Sequence, residues 1–288
     1  MKITGFTIIR NAVLNDYPIV EAITSILPVV DDMIVLVGKS EDSTEALIRS
    51  IPSDKIRIHH SVWDPSVIKG GEILAIETNK AFDLVPADSD WAFYIQGDEV
   101  VHEQYHASIR ATAEKYLTDQ RVEGLLFNYT HFYGTYDYVG DSRRWYHKEI
   151  RLVRNDKTIR SYLDAQGFRK AGEKLRVKPV DAHIYHYGWV KSPAQMLQKQ
   201  KNVVPLWSDT EQLKALHAME VFDYSDFDSL EKFKGTHPNV MQSRVAGSQW
   251  KLDFDLSRKQ FNLKERLLYW FEKKTGIRLF AYKNYKLI

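Results

Sequence analysis

The chain has no cysteine, which excludes disulfides and thiolate metal sites and fits a reducing compartment. It also lacks any apolar run near the roughly 20 residues that a membrane span needs. The short apolar stretch in residues 1–10 falls below a signal-peptide core, and no small-residue cleavage site follows it. A cytoplasmic protein is the expectation. Charge of one sign is missing too: 40 Lys and Arg against 38 Asp and Glu leave a formal +2, so no nucleic-acid partner is expected. No internal repeat or low-complexity segment breaks the 288 residues, a length that can bury a substantial core. Aromatics are plentiful, with seven Trp and sixteen Tyr; such rings fill cores or line sites for sugars and nucleobases.

Hydrophobic periodicity alternates between strand and helix. Residues 3–9 read as a strand, 17–27 as a helix with Ile19, Ile23, Ile26 and Leu27 at helical spacing, and 33–37 as a second, wholly apolar strand. A polar turn over 38–44 caps a helix over 44–50. A third strand over 56–62, a helix over 72–84 and a strand opening at Trp91 follow. This order predicts an α/β fold with a mostly parallel central sheet flanked by helices. The aromatic strand at Trp91 stops at Gln96-Gly97-Asp98-Glu99, so carboxylates sit at a strand's carboxyl end. Ligands bind at that edge of an open α/β sheet, and two acids beside a glycine can seat a hard divalent cation. An acidic surface turn is the plainer interpretation.

Three stretches in order, Ile9-Arg10-Asn11, Ser40-Glu41-Asp42-Ser43-Thr44 and Ile95-Gln96-Gly97-Asp98-Glu99, each follow an expected strand. Together they resemble the family 2 glycosyltransferases of the GT-A fold over residues 3–190. The resemblance implies a glycosyltransferase domain over 1–190, with a nucleotide-binding half (1–103), an acceptor half (104–190), and a helical C-terminal extension over 191–288. It implies an enzyme that moves a sugar, with inversion, from a nucleotide diphosphate donor to a saccharide or lipid-linked acceptor in cell-envelope polysaccharide or glycolipid synthesis. Ile9, Arg10, Asn11, Ser40, Asp42, Gln96, Gly97 and Asp98 would bind the nucleotide sugar. Asp98, Glu99 and His186 would hold Mn²⁺ or Mg²⁺, which neutralises the leaving diphosphate. Two positions depart from the family pattern: Gln96 replaces the first aspartate of the metal motif, and Val37 or Gly38 replaces the aspartate before the Ser-x-Asp-x-Thr turn.

Further along, residues 122–129 read as a strand and 130–146 as a long aromatic loop. There the resemblance places acceptor contacts at Tyr133, Tyr136, Arg143, Arg144 and Trp145; a loop packed by its own rings is the alternative. Asp164 is the expected general base, taking the acceptor proton. Asp141 and Asp137 are the fallbacks, because Gln166 stands where relatives carry an acid. Residues 180–187 form a strand bearing His183 and His186. Lys199 and Lys201 lie on a polar helix, either solvated or reaching donor phosphates. Residues 262–274 form an amphipathic helix that, with Lys273, Lys274, Arg278, Lys283 and Lys286, packs on the domain or rests on an anionic membrane.

Three other function classes compete. His102-Glu103-Gln104-Tyr105-His106 matches the zinc-protease spacing, but it starts straight after a strand end and reads as a helix start. A nucleotidyltransferase would share the sheet and its acidic edge, yet needs a glycine-rich phosphate loop after the first strand, and residues 10–14 contain no glycine. A noncatalytic protein of the same fold is the third, suggested by Gln96 and Gln166.

Overall fold

The computed structural model describes residues 1–67, 70–207 and 210–288. Its first half alternates β1 (Ile3–Ile9), α1 (Ile19–Ile26), β2 (Asp32–Gly38), α2 (Thr44–Arg49), β3 (Ile56–Ser61), α3 (Glu72–Asp83) and β4 (Trp91–Tyr94). These strands lie in the order β3-β2-β1-β4, all parallel. Both faces of β1, β2 and β4 are covered, which is why they are apolar without interruption. Successive side chains nevertheless divide between two cores. Ile3, Ile9, Val35, Val37, Trp91 and Phe93 pack with α1 on one face; Phe6, Ile8, Ile34, Leu36 and Tyr94 pack with Phe82 of α3 on the other.

The second half comprises β5 (Glu99–Val101), α4 (His106–Lys115), β6 (Gly124–Gly134), β7 (Tyr138–Gly140), β8 (Lys148–Arg154), β9 (Ile159–Tyr162), β10 (Gly167–Lys170), β11 (Glu173–Lys174) and β12 (Arg176–Val190). β8 runs antiparallel between β4 and β6 and carries the sheet across. β12 lies parallel to β6 and antiparallel to β5. Strands β9 to β11 form a separate small sheet.

Residues 130–146 are not the single loop that the sequence suggested. β6 continues to Gly134, pairs there with β12, and turns into β7. Aromatic residues make that continuation possible: Phe132 stacks on Tyr187 with ring centroids 4.6 Å apart, burying apolar area that a loop would leave exposed.

The C-terminal extension holds α5 (Pro193–Val203), α6 (Thr210–His217), β13 (Leu230–Lys232), α7 (Gln242–Ala246), α8 (Leu263–Thr275) and β14 (Lys286–Leu287). Reciprocal capping boxes start α5 at Ser192 and Gln195 and α8 at Asn262 and Glu265, satisfying backbone N–H groups that each helix start leaves free. β13 joins β7 and β14 joins β12, so the extension is stitched to the domain. No helix among the described residues is long and apolar enough to cross a membrane.

Candidate active site

The carboxyl ends of β1 and β4 open on a cavity of about 450 Å³, within the range usual for small-molecule sites. Ile9, Arg10, Asn11, Gln96, Gly97, Asp98, Asp164 and His186 all line it. Tyr17, Trp63, Tyr94, Tyr146, Lys199, Asn202 and Trp207 line it as well. Residues more than 60 positions apart in sequence therefore meet at the switch from parallel to antiparallel strands.

Pairing explains how Asp98 and His186 come together. β5 lies antiparallel to β12 with Glu99 opposite His186, and the Tyr187 backbone N–H donates to the Asp98 carbonyl at 2.8 Å. Gly188 makes the approach possible, because a Cβ there would fall 2.7 Å from Asp98 Oδ2. His186 Nε2 lies 3.8 Å from Asp98 Oδ1. Lys199 Nζ, projecting from α5, donates to Asp98 Oδ2 at 3.2 Å and to the Gly188 carbonyl at 2.9 Å. Burial works against the Asp98 charge, but the Lys199 ammonium, the largest opposing influence, helps hold the carboxyl at about 2. Burial also lowers the His186 pKa despite Asp98, which favours a neutral imidazole.

Glu99 behaves differently from its neighbour. Its carboxylate is fully buried and accepts two hydrogen bonds from Arg151, Nε to Oε2 at 2.9 Å and Nη2 to Oε1 at 2.7 Å. The Tyr129 hydroxyl and the Gln96 backbone N–H complete its shell. Glu99 thus lies outside the cavity lining, contrary to the expectation that it offers an oxygen to a cation. Gln96 turns its carboxamide N–H to the Ala165 carbonyl at 3.3 Å, tying β4 to the turn that carries Asp164.

That turn joins β9 to β10 and is held in an uncommon conformation. Leu163 and Ala165, flanking Asp164, have φ of 54° and 62°, a left-handed region that side chains normally avoid. Gly71 fits against it: a Cβ there would lie 2.9 Å from Asp164 Cβ and 3.0 Å from the Trp207 ring. Arg151 reaches the Gln166 carbonyl at 2.9 Å, and the Gln166 side chain donates to Glu149 at 2.9 Å. One buried arginine therefore anchors both Glu99 and the Asp164 turn.

Other expected residues serve as braces. Ser40 and Asp42 border a separate pocket of about 490 Å³. Ser40 Oγ accepts from the Asn11 N–H at 3.0 Å, and Asp42 accepts from the N–H groups of Leu14 and Thr44 at 2.8 and 3.0 Å. They fix the loop after β1, which enters left-handed space at Asn11. Asp141 lies in another pocket, bound by Lys259 at 3.0 Å, Lys273 at 2.5 Å and the Tyr269 hydroxyl. Arg143 pairs with Glu272 at 2.6 Å, and Arg144 lies 3.6 Å from Asp226. The Tyr133 hydroxyl donates to backbone carbonyls of Tyr224 and Asp226, while its ring meets those of Trp145, Trp189 and Phe254. The expected acceptor residues Tyr133, Arg143, Arg144 and Trp145 are absent from the cavity lining and touch the C-terminal extension or one another. Asp137 likewise takes part in a local turn with Thr135.

The zinc-protease spacing dissolves in three dimensions. His102 Nε2 meets Thr236 and His106 Nε2 meets the Ser25 carbonyl, so the two rings serve different partners. Among the described residues, no group of three or more His, Asp or Glu is placed to hold a metal ion. Around Asp98, Glu99 is committed to Arg151, Gln96 offers no carboxylate, and Lys199 occupies the carboxylate that is left. This donor set does not fit a resident divalent cation, which prefers several oxygen ligands at about 2.0–2.6 Å.

No protein-family model and no curated protein matches the chain. Among solved structures it is similar to S. aureus TarS, with a TM-score of 0.39 and 12% identity over 70% of this chain and 39% of that one. A TarS 1–349 structure in complex with UDP-GlcNAc gives a TM-score of 0.40 and 12% identity over 70% of this chain and 65% of that one. It is also similar to glucosyl-3-phosphoglycerate synthase from Mycobacterium tuberculosis in complex with Mn²⁺, UDP and phosphoglyceric acid. There the TM-score is 0.32 and the identity 19%, over 45% of this chain and 43% of that one. The chain spans less than half the length of the full TarS chain and of the synthase.

Proposed function

We propose that the protein is a glycosyltransferase that moves a sugar from a nucleoside diphosphate to an acceptor hydroxyl with inversion. One observation carries this reading: Arg10, Asn11, Gln96, Asp98, Asp164 and His186 line a single cavity at the strand ends, where open α/β sheets bind nucleotides. The aromatic rims of Trp63, Tyr94 and Tyr146 suit a base or a sugar ring. Asp164, on a rigid turn at the cavity wall, is the general base. It takes the proton of the acceptor hydroxyl while that oxygen bonds to the anomeric carbon. The bond from that carbon to the phosphate oxygen breaks on the opposite face, and its electron pair leaves with the diphosphate.

The acceptor is a saccharide, presented on an anionic lipid surface such as the inner face of a cell membrane. The exposed apolar residues of α8, Leu263, Leu267 and Trp270, support that setting, because Lys264, Arg266 and Lys274 neighbour them along the helix and an interfacial helix combines both features. The resemblance also implied a bound Mn²⁺ or Mg²⁺; Asp98 and His186 face the cavity as expected for it, but the donor set around them does not fit, and no step here passes through the ion.

Incubating the full chain with a panel of nucleoside diphosphate sugars tests the reading, with release of the nucleoside diphosphate as the signal. Consumption of one donor with a clear base preference supports it. Synthesis of a sugar nucleotide from a triphosphate would replace it with nucleotidyl transfer, and failure to bind any nucleotide would leave a noncatalytic protein of the same fold.

A further inference from the structure

We infer that the ammonium of Lys199, rather than a divalent ion, supplies the positive charge that the donor's diphosphate meets. This rests on the nucleotide-sugar reading above. The location is specific, since Lys199 Nζ lies 3.2 Å from Asp98 Oδ2 at the strand end where a cation was expected.

Lys199 is not a solvated lysine that happens to lie nearby. Its side chain is 9% exposed yet forms part of the cavity wall, and its Nζ sits 4.8 Å from the centre of the Tyr17 ring. Burying an ammonium is costly unless it is paired and hydrogen-bonded. Asp98 and the Gly188 carbonyl supply those partners and engage two of its three donors. The remaining N–H is available to a phosphate oxygen.

Charge points the same way. A cation site for a diphosphate normally carries a surplus of carboxylate, and here Asp98 is already balanced by Lys199. A second buried lysine, Lys191, lies behind them with its Nζ 3.7 Å from Asp16. Burial and the Lys199 charge already push its pKa down to about 7. A divalent ion beside Asp98 would add two more positive charges to this cluster. An incoming diphosphate instead adds negative charge, to which Lys199 can turn while Arg10 lines the same cavity. When the sugar departs, the freed phosphate oxygen keeps the bonding pair. Lys199 stabilises that charge by hydrogen bonding and retains its own protons.

Isothermal titration of the full chain with UDP, GDP, CDP, TDP and inorganic pyrophosphate, first in EDTA and then in Mn²⁺, tests this. One nucleoside diphosphate is expected to bind in EDTA, with affinity changed less than about twofold by Mn²⁺. Lys199→Met should weaken that binding by about tenfold or more, and Lys199→Arg should restore most of it, because a charge-assisted bond to phosphate is regained. Should Lys199→Met fail to fold because Asp98 is left unpaired, the double variant Lys199→Met/Asp98→Asn removes both charges and carries the same expectation. An increase of about tenfold or more in wild-type affinity on adding Mn²⁺ overturns the inference and leaves the donor reading intact. Retention of full affinity by the folded Lys199→Met or double variant does the same. Absence of diphosphate binding in every condition overturns both.

Discussion

The two halves of the sheet use their charged side chains in opposite ways. At the ends of β1 and β4, Arg10, Asp98, Asp164 and Lys199 surround open space. Across the β6–β8 half, Asp141, Arg143 and Arg144 are paired with Lys259, Lys273, Glu272 and Asp226 of the C-terminal extension. In sequence Asp98 and Asp164 look like Asp141, Arg143 and Arg144, as charges in loops after strands. Both groups take partners from the C-terminal extension, but Lys199 meets Asp98 on the cavity wall itself, whereas Lys259, Lys273, Glu272 and Asp226 hold the second group away from that cavity, so a loop charge indicates a ligand only when the rest of the chain leaves it facing the strand-end cavity.

The contrast breaks most sharply at Asp164. Asp164→Asn removes the proposed proton acceptor but keeps the shape, so transfer should fall by about 10²–10⁴-fold. Affinity for the nucleoside diphosphate, measured by titration, should stay within about twofold. A variant that transfers at the full rate would move the base elsewhere on the cavity wall.

Glu149, on β8, lies on the seam between the two halves. Its carboxylate accepts from Gln166 of the Asp164 turn and from Asn284 near the chain's end. Burial raises its pKa from 4.5 to about 7, against the opposing pull of Arg151. The folded state therefore holds this proton more tightly than the unfolded chain does. The contribution is fully present below pH 4.5 and is lost as pH rises to about 7. At roughly 1.4 kcal/mol per unit, the loss is on the order of 3 kcal/mol at most. Urea unfolding at pH 5 and pH 8 should show that fall in the wild type and a much smaller one in Glu149→Gln. Equal slopes in the two proteins would place the titration elsewhere.

The parts that could be read from sequence follow a physical division. β1, β2 and β4 were legible because strands buried on both faces must be apolar throughout, and the cavity followed from the strand ends. Arg10, Asn11, Asp98, Asp164 and His186 needed only that logic together with the family resemblance. Glu99 was misjudged because nothing local distinguishes it from Asp98: one faces out, and the other meets Arg151, 52 positions away. The end of β6 reads as loop in sequence because its aromatic residues resemble a binding rim until β12 pairs with them. Lys199 stayed ambiguous on a polar helix, where its spacing from buried Met196 was the one local sign that it turns inward.

Asp141 separates the bracing role from the expected role of fallback general base. Asp141→Ala leaves Lys259, Lys273 and the Tyr269 hydroxyl without their shared partner, at a cost on the order of 2 kcal/mol. Limited proteolysis should then cut residues 247–262 faster, with diphosphate affinity unchanged. A variant that is as stable as the wild type but transfers at least about a hundredfold more slowly would return Asp141 to the general-base role.

The smallest expected effect concerns the far side of the same extension. Through Tyr269 and Lys273, α8 docks on Asp141, and it leaves Leu263, Leu267 and Trp270 at 85%, 65% and 53% exposure. Their spacing of four and three residues puts them on one face. Lys264, Arg266 and Lys274 neighbour these residues in α8, and an anionic lipid surface is the complementary occupant proposed. Leu267→Glu takes away one apolar contact and adds a like charge to the lipid, so binding to anionic vesicles in a sedimentation assay should fall by about tenfold. Donor turnover on a soluble acceptor should not change, because the cavity lies elsewhere. If the wild type ignores anionic vesicles and instead elutes as a dimer that Leu267→Glu dissociates, a second copy of the chain covers this face. The lipid surface would then drop out of the functional reading while the cavity chemistry stands.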